Sequence, residues 1–143
     1  MRPVLAVSLL LAENAPMRDR ILIADDTPEK LHAMRNVVAA SRPDAVIDTA
    51  ESIPKALEHI RMRGRHYCRS VIDFDFPRDR NVGSAIIRAL RKGGNREPIV
   101  CATARAEGAS FDEAAEDAMD AGANETLCFA RDGFTEELRA FAA

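Results

Sequence analysis

Two short apolar runs that stop on carboxylates constrain this chain more than any other feature. Ile21-Leu22-Ile23-Ala24 ends at Asp25-Asp26, and Val71-Ile72 ends at Asp73, followed by Phe74-Asp75-Phe76-Pro77. Runs this brief, rich in β-branched residues and closed by turn-forming residues, read as buried strands. Laid side by side and parallel, two such strands bring Asp25, Asp26 and Asp73 together at their carboxyl ends. In an open α/β sheet that edge is where ligands bind. Like charges about 4 Å apart repel by roughly 4 kcal/mol at an effective dielectric of about 20. The cluster therefore needs a cation, a proton or a displaced geometry, and Mg²⁺ is the simplest answer.

Along the rest of the chain the periodicity switches repeatedly between strand and helix spacing, without internal repeats. Strands are expected at Arg20 to Ala24, Ala45 to Thr49, Ser70 to Phe74, Pro98 to Thr103 and Glu125 to Phe129. Thr27 and Pro28 suit the start of a first helix carrying Leu31, Met34, Val37 and Val38 on one face and stopping before Pro43. A second, from Ser52 to about Arg63, turns Ile53, Ala56, Leu57 and Ile60 inward and stops at Gly64. After a loop from Pro77 to Val82, Gly83 opens a third helix with Ile86, Ile87 and Leu90 on one face, ended by Gly93-Gly94. Ser110 and Glu113 form a capping box for a fourth helix that ends at Gly122, and Thr135 caps a short last one. Five strands alternating with five helices predict an α/β fold: a five-stranded parallel sheet of order 2-1-3-4-5, flavodoxin-like and doubly wound, with helices on both faces.

A chain of 143 residues with 47% apolar and 30% charged content supports one domain with a substantial core. The net charge of −3, the absence of Trp and a single tyrosine, Tyr67, argue against a nucleic-acid binder. Arg61, Arg63, Arg65, Arg69 and His66 bunch near a helix end, where solvated positive charge is favoured anyway. Arg78 and Arg80, after Pro77, read as solvated loop charges. Cys68, Cys101 and Cys128 lack metal or redox spacing and read as small buried hydrophobes in a reducing cytoplasm. Met34, Met62 and Met119 read as core or boundary fillers, and His32, His59 and His66 are too scattered for a site. Residues 1–19 form an extension ahead of the domain at 20–143. Within it Val4 to Ala12 is too short to cross a bilayer and faintly resembles a signal peptide. A mis-assigned start upstream of Met17 explains it equally well, and a helix or strand packed on the domain is a third option.

Thr103 ends the fourth strand just as Asp73 ends the third, so its hydroxyl is expected to face the same pocket. Asp25, Asp26 and Asp73, with a backbone carbonyl near Asp75, can supply the oxygen shell that Mg²⁺ prefers. A carboxylate beside a divalent metal is a nucleophile towards phosphoryl groups, forming an aspartyl phosphate, and a hydroxyl such as that of Thr103 can orient one of the transferring oxygens.

From Arg20 onward the chain resembles the receiver domain of two-component response regulators. The resemblance is carried by Asp25-Asp26, by Asp73-Phe74-Asp75-Phe76-Pro77 and by Gly83. Pro98-Ile99-Val100-Cys101-Ala102-Thr103-Ala104 and Ala121-Gly122-Ala123 complete it. It implies metal binding by Asp25 and Asp26, with Asp73 as phosphoacceptor and Thr103 as the switch hydroxyl that meets the phosphoryl group. It also implies Mg²⁺ as cofactor, a cytoplasmic phosphorelay, and a histidine kinase or phosphotransfer protein as partner. A homodimer is compatible with it.

The departures lie late in the chain. Receivers carry Lys-Pro at the end of the last strand, where this sequence has Phe129-Ala130, and Thr126 replaces the aromatic switch residue. Arg131, two residues beyond Phe129, and Arg105, two beyond Thr103, are candidates for the missing positive charge by strand parity. The plainer reading leaves both as solvated loop residues. The leading expectation is a single-domain regulator, not an enzyme, that signals through protein contacts. A pseudo-receiver that binds partners without phosphorylation is the alternative. Less favoured is a phosphatase using Asp73-Phe74-Asp75 as the Asp-x-Asp of haloacid-dehalogenase-type enzymes.

Overall fold

Backbone hydrogen bonding sorts the apolar runs into one parallel sheet. The computed structural model describes residues 19–143, so the readings made on Val4 to Ala12 and Met17 lie outside the described residues. In chain order the strands are β1 (Arg20–Ala24), β2 (Val46–Ala50), β3 (Tyr67–Ile72), the two-residue β4 (Asp75–Phe76) and β5 (Asn81–Val82), β6 (Ile99–Thr103) and β7 (Glu125–Cys128). The helices are α1 (Pro28–Ser41), α2 (Ile53–Arg63), α3 (Ser84–Lys92), α4 (Ala109–Ala121) and α5 (Phe134–Ala142).

The main sheet has the order β2-β1-β3-β6-β7, parallel throughout. Skipping the two-residue strands, this is the expected 2-1-3-4-5 order. The segment expected as a plain loop from Pro77 to Val82 is more organised than that. Asp75 and Phe76 pair antiparallel with Val82 and Asn81, around a 3₁₀ turn at Pro77–Asp79.

Side-chain alternation along the strands divides the core. Leu22 and Ala24 of β1 pack with Ile53 and Ala56 of α2, Ile86, Ile87 and Leu90 of α3, and Ala114 and Ala118 of α4. Ile21 and Ile23, pointing the other way, pack with Leu31, Met34 and Val38 of α1 and with Phe134 and Leu138 of α5. Strands buried on both faces need continuous apolar runs, which β1 supplies. Full burial of each large aliphatic side chain contributes about 1.5–3 kcal/mol.

Several local expectations change. The Thr27 side chain makes no cap hydrogen bond; instead the Thr27 N–H donates to Asp25 Oδ1 at 2.9 Å. Ser110 and Thr135 lie inside the first turns of α4 and α5, because Gly108 and Gly133 turn the chain into each helix earlier than expected. Ser52 does cap α2, its hydroxyl accepting the Lys55 N–H at 3.1 Å. Leu57, Met62 and Met119 are exposed, whereas Met34 is fully buried. The inward stripe of α2 is narrower than its apolar content suggests.

Candidate functional site

The acids are held by the sheet itself. The Asp25 N–H donates to Ala50 O at 3.0 Å and the Asp73 N–H to Ala24 O at 2.8 Å, so the ladder runs one residue past β1 and β3. Both acids therefore leave the carboxyl edge of adjacent strands at the point where the strand order reverses, the usual ligand crevice of doubly wound sheets. Thr103 ends the next strand over, β6. Asp25, Asp26, Asp73 and Thr103 are all buried, and carboxylate oxygens of the three acids lie within 4.8 Å of one another.

The cation among them is one that the sequence reading missed. Lys30, in the first turn of α1, is only 8% exposed, and its Nζ donates to Asp73 Oδ1 at 2.9 Å. The same Nζ lies 2.9 Å from Asp25 Oδ2, as an ion pair without an aligned hydrogen bond on that oxygen. The Phe129 ring flanks the ammonium, its centroid 5.4 Å from Nζ. Asp73 Oδ1 also accepts the Phe74 N–H at 2.9 Å.

Burial, opposed by Lys30 and reinforced by Asp25, pushes the Asp73 carboxyl up to about 7. Burial likewise raises Asp25, against the pull of Lys30 and the Thr27 N–H. For Lys30, burial disfavours the charged form, but the Asp73 and Asp25 carboxylates outweigh it and raise its pKa. The ammonium is held by its partners despite desolvation. Three acids against one ammonium leave an excess of negative charge, and among the described residues buried Asp25 Oδ2 has the Lys30 ion pair but no aligned hydrogen-bond donor. That donor set suits a divalent cation bound by hard oxygens.

Neither arginine expected to replace the missing lysine is the cation at Asp73. Arg131 pairs with Glu107, Nε to Oε1 at 3.4 Å, and is more than half exposed. Arg105 grips the Asp75 carboxylate with two bonds of 3.0 Å, and its guanidinium lies 4.8 Å from the Phe74 ring centroid. The parity argument fails because both strands end before the second residue. The Arg131 N–H turns back to Cys128 O at 3.1 Å, and the Arg105 N–H turns back to Thr103 Oγ1 at 3.1 Å. A signal for Lys30 was present in the sequence. It is one of three lysines in an arginine-rich chain. It also lies in a helix first turn, where the macrodipole disfavours positive charge.

Elsewhere the expected pieces are less involved. The Thr126 hydroxyl is buried without a hydrogen-bond partner among the described residues. The three cysteines are free thiols, Cys101 with its pKa pushed up to about 12 by burial. The His59 ring meets Thr49 O at 2.9 Å, a helix-to-strand contact away from the acids.

No family model and no curated protein matches this sequence. Solved structures do match. A response regulator receiver domain protein from Clostridium thermocellum aligns with a TM-score of 0.71 at 20% identity, over 87% of this chain and 90% of that one. The receiver domain of the putative response regulator NarL from Mycobacterium tuberculosis aligns at 0.68 and 18% identity, over 89% and 98%. A CheX–CheY–BeF₃–Mg²⁺ complex from Borrelia burgdorferi contains a chain aligning at 0.68 and 16%, over 85% and 86%. With the strand order and the placement of the acids already described, this chain has the CheY-like receiver-domain fold of response regulators.

Proposed function

We propose that this chain is a cytoplasmic receiver that accepts a phosphoryl group on Asp73 from a histidine kinase or phosphotransfer protein. It then signals through protein contacts, with Mg²⁺ as cofactor. The observation that carries this reading is the juxtaposition of buried Asp73 with Asp25 and Asp26, their oxygens within 4.8 Å, at the switch point of the sheet.

The two donors to Asp73 found among the described residues, Lys30 Nζ and the Phe74 N–H, converge on Oδ1. Oδ2 is thereby left as the attacking oxygen. It forms a bond to phosphorus as the P–N bond to the donor imidazole breaks, and the bonding pair leaves with the imidazole nitrogen. Asp25, Asp26, Asp73 and the Asp75 backbone carbonyl would hold the metal, which when bound offsets charge on the transferring oxygens. The Thr103 hydroxyl oxygen accepts the Arg105 N–H, which leaves its own O–H free to donate to a phosphoryl oxygen. Movement of Thr103 towards that oxygen pulls on Arg105 and so on its grip of Asp75. This route needs no aromatic at position 126.

Incubation with acetyl phosphate and Mg²⁺ is expected to add one phosphoryl mass to the wild type and none to Asp73→Asn. A wild type that gains no mass, with acetyl phosphate or with a phosphorylated kinase, defeats the reading. The outcome would then favour a phosphorylation-independent interaction module, a reading supported by the Lys30 ion pair that already occupies Asp73 Oδ1. A phosphatase with Asp75 as its acid is disfavoured, because Arg105 already engages both oxygens of that carboxylate.

A further inference from the structure

We propose that Lys30 is the catalytic cation of this site: an ammonium delivered from α1 that leaves the Asp73 carboxylate to meet the incoming phosphoryl oxygens. The inference rests on Asp73 being the phosphoacceptor. Its geometry is direct, since Nζ already touches Asp73 Oδ1 at 2.9 Å and Asp25 Oδ2 at 2.9 Å. Once Oδ2 carries phosphorus, Asp73 loses its formal charge and the negative charge moves to oxygens two bonds beyond Oδ2. The ion pair of Lys30 follows that charge. No bond is made or broken at Nζ, which keeps its protons throughout.

Local structure gives no reason of its own for a lysine here. The first turn of a helix disfavours positive charge, and burying an ammonium is costly unless it is paired. The acids supply the opposite charge. The two arginines nearest in sequence to the strand ends are engaged with Asp75 and Glu107. A lysine is also the better shape for the task, a compact point charge on a flexible stem where an arginine presents a planar fork. Phe129, at the end of β7, covers the ammonium from the side at 5.4 Å and is anchored by its N–H to Thr103 O at 2.8 Å. An aromatic face at that distance favours a cation, so the strand end and the helix start hold Nζ between them.

The role has a signature that a merely structural lysine lacks. Lys30 repels a divalent cation while it attracts the phosphoryl group, so its loss shifts the two in opposite directions. In Lys30→Met, which keeps the length of the stem, calorimetry is expected to show Mg²⁺ binding tightened by about tenfold. At saturating Mg²⁺ the Asp73-dependent mass gain from acetyl phosphate is expected to slow by about 100-fold. Unchanged or faster uptake at saturating Mg²⁺ overturns the assignment of Lys30 while leaving Asp73 as phosphoacceptor. A wild type with no Asp73-dependent mass gain overturns both. Should Lys30→Met lose metal binding and uptake together, as a folding defect would produce, the double variant Lys30→Met/Phe129→Lys decides. Phe129 is close enough for a lysine there to return an ammonium to the site. Recovery of uptake to within tenfold of wild type supports the proposal, and no recovery overturns it.

Discussion

Asp48, outside the acid cluster, shows what a carboxylate does when its charge is fully answered. Both of its oxygens meet Arg20 Nη1, at 3.1 and 3.0 Å, Tyr67 Oη donates to it at 2.7 Å, and Arg63 Nε lies 3.5 Å away. Burial works against its charge, but these partners outweigh it and hold the carboxyl below its ordinary value of 3.8. Tyr67 is correspondingly held protonated, by burial and by Asp48. A carboxyl with a depressed folded pKa stabilises the fold above its unfolded value and loses that contribution as pH falls through the folded value. Asp48→Asn is therefore expected to cost about 1–2 kcal/mol at pH 7. The difference from wild type should shrink as pH falls through that depressed folded value. Urea unfolding at pH 7 and at successively lower pH checks this. Asp73 lies at the opposite extreme, with one ammonium for three buried acids and a carboxyl pushed up to about 7.

At the scale of elements, the site depends on how closely α3 abuts the end of β3. Gly83 donates its N–H to Phe74 O at 2.6 Å, and a Cβ built on Gly83 would stand 1.8 Å from the Asp73 carbonyl oxygen. Neither group is a flexible side-chain end, so the backbone itself must move. Gly83→Ala is expected to cost more than about 3 kcal/mol, at the upper end of overpacking effects. It should also weaken Mg²⁺ binding, since Asp73 is displaced with its carbonyl. Gly133→Ala is the contrast. That residue has φ of 92° with open space around its Cβ position. Only the left-handed backbone is penalised there, by about 1–2 kcal/mol, and metal binding should be untouched. Chemical denaturation and calorimetric metal titration of both variants test the pair.

Three buried acids face one ammonium at one edge of the sheet, so a divalent cation bound there should stabilise the entire fold. A ligand that binds only the native state adds RT ln(1 + [L]/Kd) to stability. Thermal unfolding is expected to shift upward with added Mg²⁺ and to reverse with chelator. The shift should vanish in Asp25→Asn/Asp26→Asn, whose unliganded form should itself unfold at a higher temperature because two buried charges are gone. A metal response that survives the double substitution would place the ion elsewhere.

Fold and site were legible to different depths, for reasons that concern particular residues. The short runs ending at Ala24 and Ile72, the helix faces and the glycine stops reflect local periodicity and turn chemistry, and these determined the parallel sheet and its strand order. The same parallel order implied that Asp25, Asp26, Asp73 and Thr103 meet, since strand ends at one edge of a sheet share a crevice. Thr27 and Pro28 marked the start of α1 correctly, whereas Ser110 and Thr135 misled because a hydroxyl marks a cap only when the backbone turns at that residue. Gly108 and Gly133 took those turns instead. Lys30, Arg105 and Arg131 lay beyond local rules altogether. Which cation reaches Asp73 depends on how α1 sits on the sheet, how β6 and β7 end, and which carboxylate each arginine finds first. Sequence by itself determined the acidic edge and the fold that forms it. Only the packed structure decided its counter-charge, because a long side chain can reach several partners and desolvation selects among them.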